Sequence, residues 1–154
     1  MKKNISVLVG LFIFLTLACS SEKKINVLLV LTDTVRADHL SCYGYSRETT
    51  PHIDSLAAAG TIADLCQGQA SWTLPTMSTI LSGVTTVVHG AGRTSTGFHG
   101  ISPDAPWLPL AFHRAGYRTA AFFNVMFMNE DFGFHRGFQH FDCQGVASGN
   151  SLRK

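Results

Sequence analysis

The sequence has few charged side chains and no block of like charge. Charged residues make up 14% of the 154 residues, and the formal net charge is +2. Two of the positive residues, Lys2 and Lys3, lie at the N-terminus, so the rest of the chain is neutral on balance. This distribution gives no basis for a nucleic-acid partner. The 45% of hydrophobic residues favours one folded domain over a disordered chain.

The chain also lacks the paired cysteines of a zinc site. Its four cysteines, Cys19, Cys42, Cys66 and Cys143, show no CxxC or other metal-ligand spacing. Export would permit a disulfide between two of these cysteines, and the sequence does not indicate which two. Buried free thiols are the expectation for Cys42 and Cys66.

No apolar run is long enough for a comfortable membrane span. Residues 1–19 instead resemble a signal peptide, because Lys2 and Lys3 precede a short apolar stretch that ends at Ala18-Cys19. A small residue before a cysteine is similar to a bacterial lipobox, which predicts lipidation of Cys19. Ordinary signal cleavage and a retained anchor are the alternatives. The expected location is the cell envelope, with a lipid anchor in a membrane.

Hydrophobic runs alternate with helical patterns along the rest of the chain. This alternation predicts an α/β fold with a mainly parallel sheet flanked by helices. Proline at a helix start and glycine just past a helix end mark the helices. The predicted strands are residues 25–31, 61–65 and 119–125, the predicted helices are residues 51–59, 75–81 and 108–115, and a loop covers residues 90–103.

Asp33 follows the predicted strand 25–31, at the end where α/β sheets bind ligands. A carboxylate on a rigid strand end is a candidate ligand for a hard metal ion. Spacing alone favours a simpler interpretation, in which Asp33 closes a turn and Arg36 pairs with Asp38.

Thr73 precedes Pro75, so its hydroxyl is expected at the N-terminus of a helix, where anions such as sulfate or phosphate are favoured. A metal ion shared with Asp33 would make this hydroxyl a nucleophile near neutral pH. The alternative is that Thr73 caps the helix, which threonine commonly does. His89 closes the following loop, and a lone histidine is more often structural than catalytic.

Several ordered motifs carry a resemblance to a known family. Residues 26–40 (NVLLVLTDTVRADHL) and residues 42–57 resemble the opening of the sulfatase family, in the alkaline-phosphatase-like superfamily. Leu81-Ser82-Gly83 is similar to the Leu-Thr-Gly of that family, and His89-Gly90 to its His-Gly. The resemblance covers residues 25–142 as an N-terminal region, which leaves residues 143–154 as an irregular tail.

The resemblance implies roles for single residues. Asp33 falls on the first metal-binding aspartate of the family, and Thr34 on its second acidic ligand. Thr73 falls on the cysteine or serine that becomes formylglycine, with Pro75 in register, while Met77 stands where the motif has arginine. Threonine cannot become formylglycine by the usual oxidation, because its β-carbon carries a methyl group.

The resemblance therefore implies a metal-dependent hydrolase of sulfate or phosphate esters, with Thr73 as a metal-bound nucleophile and also a metal ligand. Related transferases use threonine in this way. The implied cofactor is a divalent cation, either calcium or zinc or manganese, and His89 is the local candidate for the cation missing at Met77. Because family members are longer, an incomplete fragment is expected. The alternatives are an envelope phosphotransferase and a non-catalytic truncated lipoprotein.

Overall fold

The structure is a computed structural model that describes residues 24–143. The signal peptide, Cys19 and the tail beyond residue 143 lie outside the described residues. The chain divides into two compact units, Met1–Thr34 and Val35–Lys154. Residues 24–143 contain no helix whose length and hydrophobicity would suit a membrane span.

The prediction of a strand at residues 25–31, in the first unit, is wrong. These residues form neither a helix nor a strand, and their apolar side chains are exposed, with Leu28 at 87% of its full accessible area. The apolar pattern describes a segment suited to burial in a sheet. A strand also requires neighbouring strands to pair with, and the described residues supply none to this segment.

The second unit begins with two short 3₁₀ helices, Ala37–His39 and Ser41–Tyr43, followed by helix α1 at Pro51–Ala59. The bounds of α1 confirm the prediction. The Thr50 side chain makes no capping bond and instead donates its hydroxyl to Asp54 Oδ1 at 3.1 Å. Asp54 also accepts the backbone N–H of Cys42 at 2.9 Å. The Ser41 hydroxyl is the main reason that the pKa of Asp54 is lowered.

The remaining helices are α2 at Thr73–Ser82, α3 at Thr86–His89 and α4 at Leu108–Arg114, and a 3₁₀ helix spans Glu130–Phe132. Helix α2 begins two residues before the predicted start. This places Pro75 at the third helical position, which costs no hydrogen bond because the first N–H groups of a helix have no partner within it. Gly83 ends α2 with a φ of 70°, the left-handed conformation that glycine adopts without strain.

The strands form two separate pairs, so the predicted mainly parallel sheet is not observed in the described residues. Strands β1 (Gly92–Thr94) and β2 (Gly97–His99) form an antiparallel hairpin inside the predicted loop. Strands β3 (Ala120–Phe122) and β4 (His140–Asp142) pair in parallel. Strand β3 confirms part of the predicted strand 119–125, whereas residues 61–65 form no strand.

The core of the second unit lies under α2 and α4. Leu74, Met77 and Leu81 are buried on one face of α2, where they pack in a cluster that includes Trp107 and Phe134. Burial of this face fixes the direction in which α2 enters the fold, and therefore the place of its first residue, Thr73. Cys42 and Cys143 are half-buried free thiols, and Cys66 is exposed, which corrects the expectation that it is buried.

Candidate active site

Asp33 lies in a turn at the end of the first unit and is half-buried. Its Oδ1 accepts the backbone N–H of Thr34 at 3.0 Å. Thr34 has a φ of 58°, a left-handed conformation that is rare for a β-branched residue and concentrates at functional sites. A carboxylate accepts several partners at once, so a hydrogen bond within a turn does not by itself exclude a metal role. The turn and the predicted metal role of Asp33 are therefore compatible.

Asp38 belongs to an exposed ion pair. Arg36 Nε donates to Asp38 Oδ1 at 2.9 Å, and His39 Nδ1 lies 3.1 Å from the same oxygen. The bond from Arg36 is the main cause that lowers the pKa of Asp38 to about 2. The pairing of Arg36 with Asp38 confirms that part of the simpler interpretation, and the metal role of Asp33 stays a prediction.

Thr73 is the first residue of α2 and is half-buried. Trp72 holds the N-cap position, with an extended backbone and no side-chain cap bond. The interpretation of Thr73 as the helix cap is therefore wrong. A hydroxyl at the first helical position lies beside the backbone N–H groups of the first turn, where negative charge is stabilised. This position suits a group that attacks an anionic ester.

His89 lies at the end of α3 and is fully buried, with 0% of its surface exposed. The backbone N–H of Ala91 donates to its Nδ1 at 3.0 Å, so this nitrogen carries no proton. The proton is assigned to Nε2, which lies 2.9 Å from Thr79 Oγ1 and thus donates to it. The ring therefore links α2 to the segment after α3.

Burial lowers the pKa of His89, and a hydrogen bond to the backbone of Pro75 opposes this shift. Both the desolvation and the Ala91 N–H favour the neutral ring. These contacts give His89 a structural role and lend no support to a cation at this position. The catalytic role of His89, as a substitute for the arginine absent at Met77, stays a prediction.

Asp33 and Thr34 belong to the first unit, and Thr73 belongs to the second. The prediction that these residues share a cation therefore stays a prediction. Residues 24–143 contain no group of three or more His, Cys, Asp or Glu side chains that could hold a metal ion. One carboxylate and two hydroxyl groups fall short of the six or more oxygens that a calcium ion takes. The described residues alone do not fit a complete metal site.

A cavity of about 590 Å³ lies beside the start of α2. Trp72 and Pro75, which flank Thr73 in the sequence, line it together with the β1–β2 hairpin and Phe127. This volume falls within the range of small-molecule sites in proteins. The cavity lies within the second unit and is open to solvent, and Thr73 itself does not line it.

Sequence reasoning identified Pro75 beside Thr73 but missed the hairpin residues and Phe127, which also line this cavity. Arg93 and Phe98 are cross-strand partners in the hairpin, and Phe127 follows much later in the chain. The sequence held one signal, because apolar or long side chains on either side of Ser95-Thr96-Gly97 suit a tight hairpin. That signal is weak, and Phe127 has no local signal at all.

Comparisons with known proteins agree on one family. The model of the family described as Sulfatase matches residues 25–150. An N-acetylglucosamine-6-O-sulfatase of Bacteroides thetaiotaomicron is 29% identical over 140 residues, which cover 87% of this chain and 25% of that protein. The chain thus spans about a quarter of the length of this curated relative. No solved structure matches the chain significantly.

Proposed function

The chain belongs to the sulfatase family, as its motifs predicted, and on this basis we propose that it carries the nucleophile-bearing part of a sulfate-ester hydrolase. The family implies an α/β fold of the alkaline-phosphatase-like superfamily. The observation that carries the proposal is the place of Thr73, half-buried at the first position of α2 and directly after Trp72, which lines a cavity. The name of the relative supports a sulfated sugar as the substrate.

In the proposed reaction, the Thr73 hydroxyl oxygen attacks the sulfur of the ester in line with the departing oxygen. The bond between sulfur and the departing oxygen breaks, and the proton of the Thr73 hydroxyl ends on the released alcohol. Water then attacks the sulfur of the Thr73 sulfate ester, which releases sulfate and restores the hydroxyl. Backbone N–H groups of the first turn of α2 face the negative charge that develops during both steps.

The metal dependence of the family extends the proposal to a divalent cation, calcium or zinc or manganese. Asp33 is the proposed ligand from the described residues, with Thr34 and Thr73 as hydroxyl donors. Because these groups do not complete a site, the remaining ligands are proposed to lie outside residues 24–143. Export and lipid anchoring through Cys19 stay part of the proposal, on the N-terminal sequence pattern alone.

Replacing Asp33 by Asn should weaken the binding of a divalent cation. An amide is a neutral and poorer ligand than a carboxylate, so calorimetric titration of calcium, manganese and zinc should give lower affinity for the variant. We expect the unsubstituted chain to bind only weakly, with a Kd on the order of 10⁻³ M, since it offers few ligands. Asp38→Asn is the matched control, because Asp38 is held by Arg36. Equal weakening by both substitutions would argue against Asp33 as a ligand.

A second function is favoured by the threonine itself. Thr73 occupies the position at which the family has cysteine or serine, and the resemblance to threonine-dependent transferases supports a phosphotransferase of the cell envelope. Product analysis separates the two functions, since free sulfate or phosphate indicates hydrolysis and a modified acceptor indicates transfer. A non-catalytic lipoprotein is the third alternative, and the absence of both products would favour it.

A further inference from the structure

The start of α2 has no polar cap. Trp72 holds the N-cap position with a φ of −150° and a ψ of 165°, and its side chain makes no capping bond. Serine, threonine, aspartate and asparagine are preferred at this position, because their side-chain oxygen accepts an N–H group of the first turn. The residue directly before Thr73 therefore holds the helix start by some other means than a cap.

The backbone holds this helix start only weakly. The first helical hydrogen bond runs from the N–H of Thr76 to the carbonyl of Trp72 and measures 3.4 Å. Ordinary N–H···O bonds in proteins measure about 2.7–3.2 Å. The equivalent bond of α4, from the N–H of Ala111 to the carbonyl of Trp107, is shorter at 3.1 Å. The side chain of Trp72 is then the group that can fix the first turn of α2.

The ring of Trp72 belongs to an aromatic cluster with Phe98 and Phe127. The ring centroids of Trp72 and Phe127 lie 5.5 Å apart in an edge-to-face arrangement, and Phe98 lies 5.9 Å from Trp72 and 5.1 Å from Phe127. These distances fall in the favourable range for aromatic pairs. Phe127 also contacts Phe132 at 5.7 Å, and Phe132 is buried in the core. Trp72 thereby connects the start of α2 to β2 and to the core.

We propose that Trp72 is a positioning residue, whose ring, packed against Phe98 and Phe127, fixes the first turn of α2 and with it the Thr73 hydroxyl. The inference rests on the proposed function, because it concerns the nucleophile assigned there. A displacement of about 1 Å at a reacting group can slow a reaction about a hundredfold. One peptide bond joins Trp72 to Thr73, so a change in the packing of the ring moves the attacking oxygen.

A ring at the N-cap also suits the proposed reaction better than a polar cap. The oxygen of a capping side chain occupies an N–H group of the first turn. The proposed reaction uses these N–H groups to stabilise the negative charge that develops on the ester. The ring of Trp72 holds the helix start by packing and has no oxygen that competes for them.

The chain offers a matched control for this arrangement. Trp107 holds the N-cap position of α4, again with an extended backbone and no side-chain cap bond. Its ring packs edge-to-face on Phe134 at 5.6 Å, and its Nε1 donates to the carbonyl of Arg136 at 2.8 Å. The residue that follows it is the apolar Leu108. A substitution at Trp107 thus disturbs a comparable helix start that carries no candidate nucleophile.

Hydrogen exchange of the full chain tests the hold on α2 without any need for turnover. The amides of residues 76–78 are the first that bond within the helix. Trp72→Leu keeps an apolar side chain but removes the ring, and should speed exchange of these amides about tenfold or more. Trp72→Phe keeps an aromatic ring and should speed it much less. Trp107→Phe should change exchange in α4 and leave residues 76–78 as they are. Mass spectrometry of peptides from both helices measures these rates.

Kinetics on 4-nitrophenyl sulfate, in a form of the protein that is active on this ester, separate positioning from stability. Trp72→Leu should lower kcat about tenfold or more and change KM less than about twofold, because a displaced nucleophile slows the chemical step. Trp72→Phe should retain most of the kcat, and Trp107→Phe should leave kcat unchanged. Trp72→Ser supplies a polar cap without a ring and should lower kcat as Trp72→Leu does.

Several results would overturn the role of Trp72. Unchanged exchange at residues 76–78 in Trp72→Leu would show that the ring does not hold the helix start. An unchanged kcat in Trp72→Leu or in Trp72→Ser would show that this hold does not position the nucleophile. An equal fall of kcat in Trp107→Phe would assign the effect to a general loss of stability. Full activity of Thr73→Ala would instead refute the proposed function, and the exchange rates would still report whether Trp72 holds α2.

Discussion

Replacing Thr73 by Ala should abolish turnover of a sulfate ester, with a loss of at least about 10³-fold in kcat, because removal of a covalent nucleophile leaves only binding and charge stabilisation. The methyl group of alanine fits the first position of α2, so the fold should remain intact. The measurement is the release of 4-nitrophenol from 4-nitrophenyl sulfate. It uses a form of the protein that is active on this ester. Thr73→Ser keeps the hydroxyl and should retain most of the activity.

Thr76→Ala is the matched control for the loss of a threonine hydroxyl from α2. Thr76 is half-buried like Thr73, but its Oγ1 donates to the carbonyl of Ala70 at 2.8 Å and serves the local backbone. Its removal should reduce stability slightly and leave kcat nearly unchanged. Activity of Thr73→Ala near that of the unsubstituted protein would exclude Thr73 as the nucleophile.

A covalent intermediate gives an independent readout. Acid quenching during turnover, followed by mass spectrometry of the peptide that contains Thr73, should find a sulfate ester on this residue in the unsubstituted protein. The same ester found on another residue would contradict the proposed mechanism even if Thr73→Ala were inactive. Thus the kinetic and covalent measurements test different parts of the proposal.

The parts of the fold that the sequence predicts well depend on neighbouring residues. Helix α1 has a proline at its first position and Gly60 directly after its last residue, and these local signals gave its bounds. Pro75 predicts a helix start near Thr73 by the same kind of local signal. Because proline is tolerated anywhere in the first turn, this signal places the start of α2 two residues too late.

The parts that the sequence does not predict depend on distant residues. The apolar run at residues 25–31 suits a buried strand, but pairing depends on strands that the described residues do not provide. Strand β4 pairs with β3 across a long intervening segment, and the cavity joins Trp72 to Phe127 in a comparable way. A residue pattern reports burial and local conformation, whereas these contacts depend on the whole fold.

His89 shows the same distinction within the candidate site. The His-Gly motif identifies the residue through its family, but no sequence pattern indicates the direction of its ring. The structure places both ring nitrogens in hydrogen bonds, to Thr79 Oγ1 and from the Ala91 N–H. Its carbonyl also accepts the N–H of Ser102 at 2.8 Å. His89 thereby connects α2, α3 and the segment after the hairpin.

Replacing His89 by Ala should lower the free energy of unfolding by about 3 kcal/mol, because the change leaves a cavity and removes partners from Thr79 and Ala91. Urea denaturation followed by circular dichroism measures this difference. The control is His113→Ala, at an exposed position of α4, which should change stability by less than about 0.5 kcal/mol. If His89→Ala lowered the free energy of unfolding as little as His113→Ala, the ring would not hold these elements together.

The protonation of His89 should also make stability depend on pH. Its pKa in the fold lies below the ordinary histidine value of 6.5, so the unfolded chain binds the proton more readily. The neutral ring therefore makes its full contribution to the free energy of unfolding above about pH 6.5. This contribution is lost as the pH falls from there towards the pKa of His89 in the fold. Urea denaturation should show that the free energy of unfolding falls more between pH 7.5 and pH 5.5 for the unsubstituted chain than for His89→Gln, whose side chain does not titrate. Equal losses would mean that the ring accepts a proton in the fold as easily as in water. A role of His89 as a cation beside an anionic ester would require this.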